Sequence, residues 1–382
     1  MTAPLLKLGL IGIGNIGNLH ARNIAGGLVP GVQLMAVAEA DPTRLAGFEP
    51  ENRILRRFAQ GEALIRSGAV DAVLICTPHF SHTSLGIAAL QQGLHVLVEK
   101  PLSVHKADAQ RLLSFHTNPR QVFGLMLNQR TDPRYRRLRE MIQGGELGRI
   151  QRINWTITDW FRTEHYYASG GWRATWAGEG GGVLINQCPH QLDLWQWLFG
   201  RPRTVTAFGG FGRHHAIEVE DDVTAILEYS DGARGVFITT TGEAPGTNRL
   251  EIAAERGKVV VEGDSFVFQR NAVETSFWSR QAASDFEKPP VETVSCAMAD
   301  TGTQHAGILA NFVAACLQGT ELIAPAAEGL ASVELANAML LSLAQRTPVE
   351  LPMDASRYET VLQGLIASSA AQRAKSAAGP VA

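Results

Sequence analysis

Residues 7–17 read KLGLIGIGNIG, and the rest of the fold follows from how this stretch is read. The apolar run Leu8 to Ile13 ends in Gly12-x-Gly14-x-x-Gly17, with Asn15 and Ile16 inside the turn, and an amphipathic segment follows at once. Strand, glycine turn and helix start in that order make the first βαβ unit of a dinucleotide-binding domain. Gly12 permits the tight turn, Gly14 lets the backbone approach a pyrophosphate, and Gly17 lets helix and strand pack closely. The pyrophosphate then rests on the free amides and positive dipole of the helix N-terminus. A second apolar run, Val32 to Ala38, ends at Glu39, 22 residues after Gly17. A carboxylate there accepts hydrogen bonds from both ribose hydroxyls of an adenosine and repels a 2′-phosphate. Ala40 offers no positive charge to hold such a phosphate, so NAD is expected over NADP.

A chain of 382 residues suits two domains. With 45% apolar and 19% charged residues and a net charge of −3, nothing favours nucleic acid or an anionic membrane as partner. No apolar segment is expected to span a membrane, and Met1 runs into a core strand by about Leu5, leaving no room for a cleavable signal. Cys76, Cys188, Cys296 and Cys316 lack C-x-x-C spacing, which suits a reducing compartment and argues against structural zinc; no metal is expected and the location expected is cytoplasmic.

The first third alternates strand-like and helix-like segments, which predicts a doubly wound parallel sheet of six strands with right-handed crossovers. After Glu39 come a loop and a helical stretch at about 59–67, then the buried run Ala72 to Thr77, broken at Pro78. Ser81 or Thr83 is placed to cap the next helix, which runs to Gly93. The strand His95 to Val98, a helix at about 106–116 and the strand Gln121 to Leu127 complete the unit. From Ile150 to Gln269, β-type runs dominate, with Asp231-Gly232 and Arg256-Gly257 as hairpin turns, so a large open antiparallel sheet is expected. Helices at about 304–318 and 326–344 close this α+β domain, and the Ala-rich tail reads as flexible. The expected division is 1–128 for the nucleotide domain, 129–367 for a substrate-binding and oligomerisation domain, and 368–382 for the tail.

Two constellations can carry chemistry. Glu99-Lys100-Pro101 follows a strand end, where ligands bind in such sheets. Proline restricts Lys100 to extended backbone, and its ammonium there can stabilise an alkoxide as hydride leaves carbon. The second stretch is GGGVLINQCPHQLD, residues 180–193, where a glycine run opens a helix. Asn186, His190 and Asp193 recur at spacings of four and three, on one helical face. His190 titrates near neutrality and can exchange the hydroxyl proton, while Asp193 orients it or pairs with a substrate hydroxyl. Trp155, Trp160, Tyr166, Tyr167, Trp172, Arg173 and Trp176 form an aromatic-rich segment whose ring faces suit sugar C–H faces, with Arg173 for hydroxyls. Thr77-Pro78-His79 and His82 are candidates for the nicotinamide ribose.

Taken together, GIGNIG, TPHFSH, VEKPL and GGGVLINQCPHQLDLWQWLFG resemble the glucose–fructose oxidoreductase/inositol dehydrogenase (Gfo/Idh/MocA) family over nearly the whole chain. The resemblance implies a Rossmann domain plus an open antiparallel sheet that commonly forms dimer or tetramer interfaces, and NAD(P)-dependent redox chemistry on sugars, cyclitols and their derivatives. It places Lys100 and His190 at the family's catalytic lysine and histidine, and Glu39 at the acidic ribose position. Two positions depart from the pattern. Asn186 stands where an aspartate is usual, so it cannot act as a base, and His79 replaces an asparagine often found after the proline. The expected activity is hydride transfer between a secondary carbinol of a sugar, glycoside or cyclitol and nicotinamide. Glycoside cleavage by transient oxidation, elimination and hydride return is the alternative, and a nucleotide-sensing protein without catalysis is a third.

Overall fold

The computed structural model describes residues 4–48 and 55–377. The opening strand, β1 (Leu6–Ile11), delivers the chain into α1 (Asn15–Ala25) through the glycine turn. There follow β2 (Val32–Ala38), α2 (Pro42–Gly47), β3 (Arg56–Phe58), α3 (Gly61–Ile65), β4 (Ala72–Ile75), α4 (Phe80–Gln91), β5 (His95–Val98), α5 (Lys106–Ser114) and β6 (Phe123–Leu125). All six strands pair in parallel in the order β3-β2-β1-β4-β5-β6, so the strand order reverses between β1 and β4. Ligands of open α/β sheets lie outside the carboxyl ends of strands at such a reversal. Leu8, Leu10, Val37, Leu74, Val96 and Leu97 are almost fully buried, as continuous apolar runs require when helices cover both faces.

Three details of this unit differ from expectation. Residues 42–47, read as loop, form α2 because Asp41 accepts from the Thr43 and Arg44 amides and Pro42 occupies the first turn. Neither Ser81 nor Thr83 caps α4: the cap residue is His79, Ser81 Oγ donates to the Pro78 carbonyl and to Thr77 Oγ1, and Thr83 bonds Ser103. The strand β3, too short and too polar for a periodicity signal, completes the sheet edge.

The second unit begins with α6 (Pro133–Gln143) and continues through β7 (Ile150–Ile157), α7 (Glu164–Ala168), α8 (Pro189–Phe199), β8 (Thr204–Phe211), β9 (Glu220–Glu228), β10 (Arg234–Thr240), β11 (Asn248–Ala254), β12 (Gly257–Glu262), β13 (Ser265–Asn271), α9 (Thr275–Gln281) and β14 (Val291–Ala297). Its nine strands run in the order β14-β13-β12-β11-β7-β10-β9-β8-β15, where β15 is Val349–Glu350. The sheet is mixed: β7 and β10 are parallel neighbours and every other pair is antiparallel. The large open antiparallel sheet that the hairpin turns imply is thus present with one parallel pair added; that β7 lies between β10 and β11 is a long-range choice no local turn encodes. Alternate residues of the central strands (Ile153, Trp155 and Ile157; Val223, Ala225 and Leu227) are buried, the pattern of a sheet with one covered face. Trp195 of α8 packs there, stacked on Trp155 at 6.5 Å and edge-on to Phe237 at 5.8 Å.

The chain ends with α10 (Gln304–Gln318), α11 (Gly329–Gln345) and α12 (Ala355–Ala377). The described residues fall into two compact units, one within Met1–Thr131, Ala177–Gly180 and Gly302–Glu334, the other within Asp132–Trp176, Gly181–Thr301 and Leu335–Ala382. Residues 302–334, read in the sequence as closing the second domain, therefore return to the first: Ile308, Leu309, Phe312 and Val313 join the nucleotide-domain core. The tail expected to be flexible from Ser368 is helical to Ala377, and residues 378–382 lie outside the described part. The stretch Ala326–Gln345 is long and apolar enough to cross a membrane, contrary to expectation, but 72% of it is buried inside the protein as a core helix.

Candidate functional site

The glycine turn has the geometry its sequence demands. Gly12 sits at φ +90°, and a Cβ there would lie 2.7 Å from the Cys76 carbonyl oxygen. At Gly17 a Cβ would meet the Gly12 carbonyl oxygen at 2.0 Å, so helix and turn are pressed together. Gly14 is the opposite case, with nothing within 4 Å of a Cβ position. It precedes α1 with no side-chain cap and no acidic residue in the first turn, which leaves the Asn15, Ile16 and Gly17 amides to an incoming anion. An uncapped helix start facing open space fits a dinucleotide pyrophosphate. Glu39 joins this turn to the end of β2: Oε2 accepts from the Ile13 amide (2.9 Å) and Oε1 from the Asp41 amide (3.0 Å). Each oxygen keeps a second lone pair, as ribose hydroxyls require.

The Glu99-Lys100 pair follows β5. Glu99 is 5% exposed, and it accepts from His20 (Nε2–Oε1, 2.7 Å) and from the Lys100 amide (3.2 Å). Burial alone would raise its carboxyl; the His20 hydrogen bond and the charges of His20, His305 and Lys100 outweigh that and hold it at about 2. Glu99 is therefore an anion fixed beneath Lys100, and His20 ties it to the nucleotide helix. Burial, with the Glu99 charge, pushes the neighbouring Cys76 thiol up, so it stays protonated. His20, Cys76 and Glu99 bring ligand-type atoms within 4.8 Å of one another, with His20 and Glu99 joined by their hydrogen bond and Cys76 beside them. The sequence reading passed over His20, although a histidine one helical turn past Gly17 on a buried helix face was the available signal.

The residues after β4 are tied to backbone. His82 is fully buried between the ends of β4 and β5, with Nε2 2.8 Å from the Thr77 carbonyl and Nδ1 2.8 Å from that of Pro101. Burial pushes its imidazolium down against the pull of those carbonyls. His79, also buried, has Nδ1 3.2 Å from the Glu179 carbonyl. The sequence placed both with the cofactor; their buried setting comes from packing around the strand ends.

In the second unit the glycine run is packed rather than flexible. The Gly182 amide donates to Glu220 Oε2 (2.8 Å) and the Leu184 amide to Oε1 (3.0 Å), and a Cβ at Gly182 would meet the Glu220 carbonyl oxygen at 2.0 Å. The helix expected from this run starts later, at Pro189. His190 and Asp193, 8% and 2% exposed, lie on α8, whereas Asn186 belongs to the helical turns before it (Asn186 N to Gly182 O, 2.9 Å). Asn186 Nδ2 donates to the Tyr166 hydroxyl at 3.2 Å, Gln187 Nε2 approaches the same oxygen at 3.4 Å, and Arg173 donates to it at 2.7 Å. Tyr166, Trp172, Arg173 and Asn186 are thus brought together, joined by Arg162 and Gln187, which the sequence did not single out. Trp155 and Trp176 leave the aromatic set: they are 0% and 3% exposed, Trp155 as sheet core and Trp176 edge-on to Phe211.

Comparison with known proteins follows the same division. Residues 6–123 match an oxidoreductase family with an NAD-binding Rossmann fold, and residues 135–260 match the GFO/IDH/MocA C-terminal domain. An inositol 2-dehydrogenase of Rhizobium meliloti is 24% identical over 355 residues, 91% of this chain and 99% of that one. The uncharacterized oxidoreductase YdgJ of Escherichia coli is 30% identical over 259 residues, 68% of this chain and 71% of that one. The WlbA dehydrogenase of Bordetella pertussis, solved with NADH and UDP-GlcNAcA, is similar with a TM-score of 0.78 and 25% identity, over 93% of this chain and 100% of that one.

Proposed function

The chain belongs to the Gfo/Idh/MocA family of oxidoreductases, and from that premise we propose that it is an NAD-dependent dehydrogenase moving hydride between a secondary alcohol of a sugar, glycoside or cyclitol and the nicotinamide. The observation that carries the reading is the uncapped α1 start at Gly14 together with Glu39 bonded to the same turn. Asn15, Ile16 and Gly17 amides hold the pyrophosphate, and Glu39 holds the adenosine ribose and disfavours a 2′-phosphate. NAD, when bound, supplies the hydride chemistry. Lys100 donates a hydrogen bond to the reacting oxygen and stabilises alkoxide character, while Glu99 fixes the backbone from which it projects. His190 takes the hydroxyl proton during oxidation and returns it during reduction, because Asn186 has no basic atom for that task. Asn186, Asp193, Tyr166, Trp172 and Arg173 orient the sugar ring.

The relatives with a named activity are dehydrogenases, which does not favour the elimination-and-return scheme. Cytoplasmic residence and a homodimer or homotetramer belong to the same proposal. Oligomerisation is supported by Phe208 and Ile226, 61% and 39% exposed on neighbouring strands of the open sheet. Incubating the protein with NAD and a panel of sugars and cyclitols should produce NADH absorbance. Lys100→Ala should lower kcat by about 10²- to 10⁴-fold with NADH affinity retained; full turnover in that variant overturns the assigned role.

A further inference from the structure

Within the second unit, two guanidinium groups bear on one tyrosine, and neither forms an ion pair within 4.0 Å. Arg173 lies 4.7 Å from the ring centroids of both Trp172 and Tyr166, and Arg162 lies 5.1 Å from Tyr166 and 5.5 Å from Trp160. Elsewhere in the unit Arg134, Arg152, Arg213, Arg249 and Arg270 each pair with a carboxylate. Arg173 instead donates to the Tyr166 hydroxyl, Arg162 donates to the Trp160 and Phe161 carbonyls, and no carboxylate among the described residues lies within 4.0 Å of either. The nearby acids hydrogen-bond elsewhere: Asp159, whose carboxyl feels the Arg162 charge from beyond ion-pair distance, accepts from Asn248 (3.2 Å), Glu164 from the Ala216 amide (3.3 Å) and Glu218 from Arg373 (2.6 Å).

The cluster also holds more donors than acceptors. The Tyr166 oxygen faces N–H groups of Arg173, Asn186 and Gln187, yet a phenol has two lone pairs and carries a proton of its own. Arg162 Nε is buried with no hydrogen-bond partner. Unmatched donors, and cations with no carboxylate at bonding distance, cost free energy in a half-buried site that an anionic acceptor removes. A neutral sugar hydroxyl brings a donor with each acceptor and no charge. A carboxylate brings two oxygens, about four acceptor sites and the planar shape that matches a guanidinium edge. Arg173, flanked by two aromatic rings, has that edge to offer.

We propose that the substrate of this site carries a carboxylate, as in a uronic or aldonic acid, and that Arg173, Arg162 and the Tyr166 hydroxyl receive it. The proposal rests on the dehydrogenase reading above, which supplies the sugar. The test compares glucuronate with glucose and galacturonate with galactose, following NADH formation by the full-length protein. The acid is expected to have the higher kcat/KM, and Arg173→Gln should shrink the acid-to-neutral ratio by about 10- to 100-fold, chiefly through KM. Arg162→Gln is the second variant, in case Arg173→Gln does not fold. Neutral sugars oxidised as well as the acids, or a ratio unmoved in both variants, overturn the carboxylate while the dehydrogenase stands; so does a preference for glucose phosphate over glucuronate. If NADH binds and no sugar turns over, it is the dehydrogenase reading that fails. Calorimetric titration of the NADH complex with glucuronate then decides the anion site alone: heat lost in Arg173→Gln supports it, and no heat from the unaltered protein sinks it.

Discussion

The glycine turn at residues 12–17 and the arginine–aromatic cluster around Tyr166 reach their geometry by opposite routes. In the turn, backbone does the work: a Cβ at Gly12 or Gly17 would lie 2.7 or 2.0 Å from a carbonyl oxygen, so neither position has room for a side chain, and Glu39 and Asn18 add ties to the Ile13 backbone. In the cluster, Tyr166 sits on the short helix α7 while Arg162 and Arg173 come from the segments flanking it, and the arrangement is held by side chains stacked on and bonded to one phenol. A site built from backbone tolerates almost no change at its glycines and has a readable signature. A cluster built from side chains tolerates exchange and can be retuned for a different ligand, but its members carry no fixed spacing.

The largest test of that contrast is Trp155→Ala, in the core beneath the second unit's sheet. Trp155 is fully buried, and its loss should cost about 3–5 kcal/mol in urea unfolding. NADH affinity should survive if the turn is self-contained; parallel loss of both would break the contrast. Gly17→Ala comes next: forcing a Cβ against the Gly12 oxygen should cost about 1–3 kcal/mol and weaken NADH binding. Unchanged affinity there would show that the turn relaxes and that backbone fit is not decisive.

A smaller effect concerns acid. The Glu99 carboxyl is depressed from 4.5 to about 2, so its stabilisation is fully present above 4.5 and is lost as pH falls through 2. Glu99→Gln should therefore flatten the acid limb of a Tm-against-pH curve, and an unchanged limb would show that the His20 bond contributes nothing. The smallest expected change is Asn186→Ala, which removes one of three donors on the Tyr166 oxygen. It should alter KM by about tenfold or less, leaving Tm near that of the parent. A collapse of kcat instead would mean that Asn186 does more than orient the ring.

The parallel sheet was legible because its strands are apolar runs punctuated by glycine and proline: Val32–Ala38 and His95–Val98 form where those runs lie, and the helix Gln304–Gln318 forms where its periodicity places it. What escaped were short or polar pieces such as Arg56–Phe58, and the tail, whose alanines proved to be helix formers rather than a sign of disorder. Of the candidate site, Glu39 lies on the turn as its spacing from Gly17 implied, because both ends of that spacing belong to one βαβ unit. That both His82 nitrogens face the Thr77 and Pro101 carbonyls was not legible, because nothing local in the sequence brings those two strand ends together.

By itself the sequence determined the dinucleotide turn, the alternation of strands and helices, and the residues able to do acid–base work, because each depends on contacts within a few residues. Tertiary structure decided the rest: β7 placed parallel to β10, residues 302–334 returned to the nucleotide unit, Trp155 taken into the core, and Arg162 and Arg173 left together on Tyr166 with no carboxylate in ion-pair distance. Those outcomes turn on which distant side chains compete for one space or one charge, and a chain read in order does not record that competition.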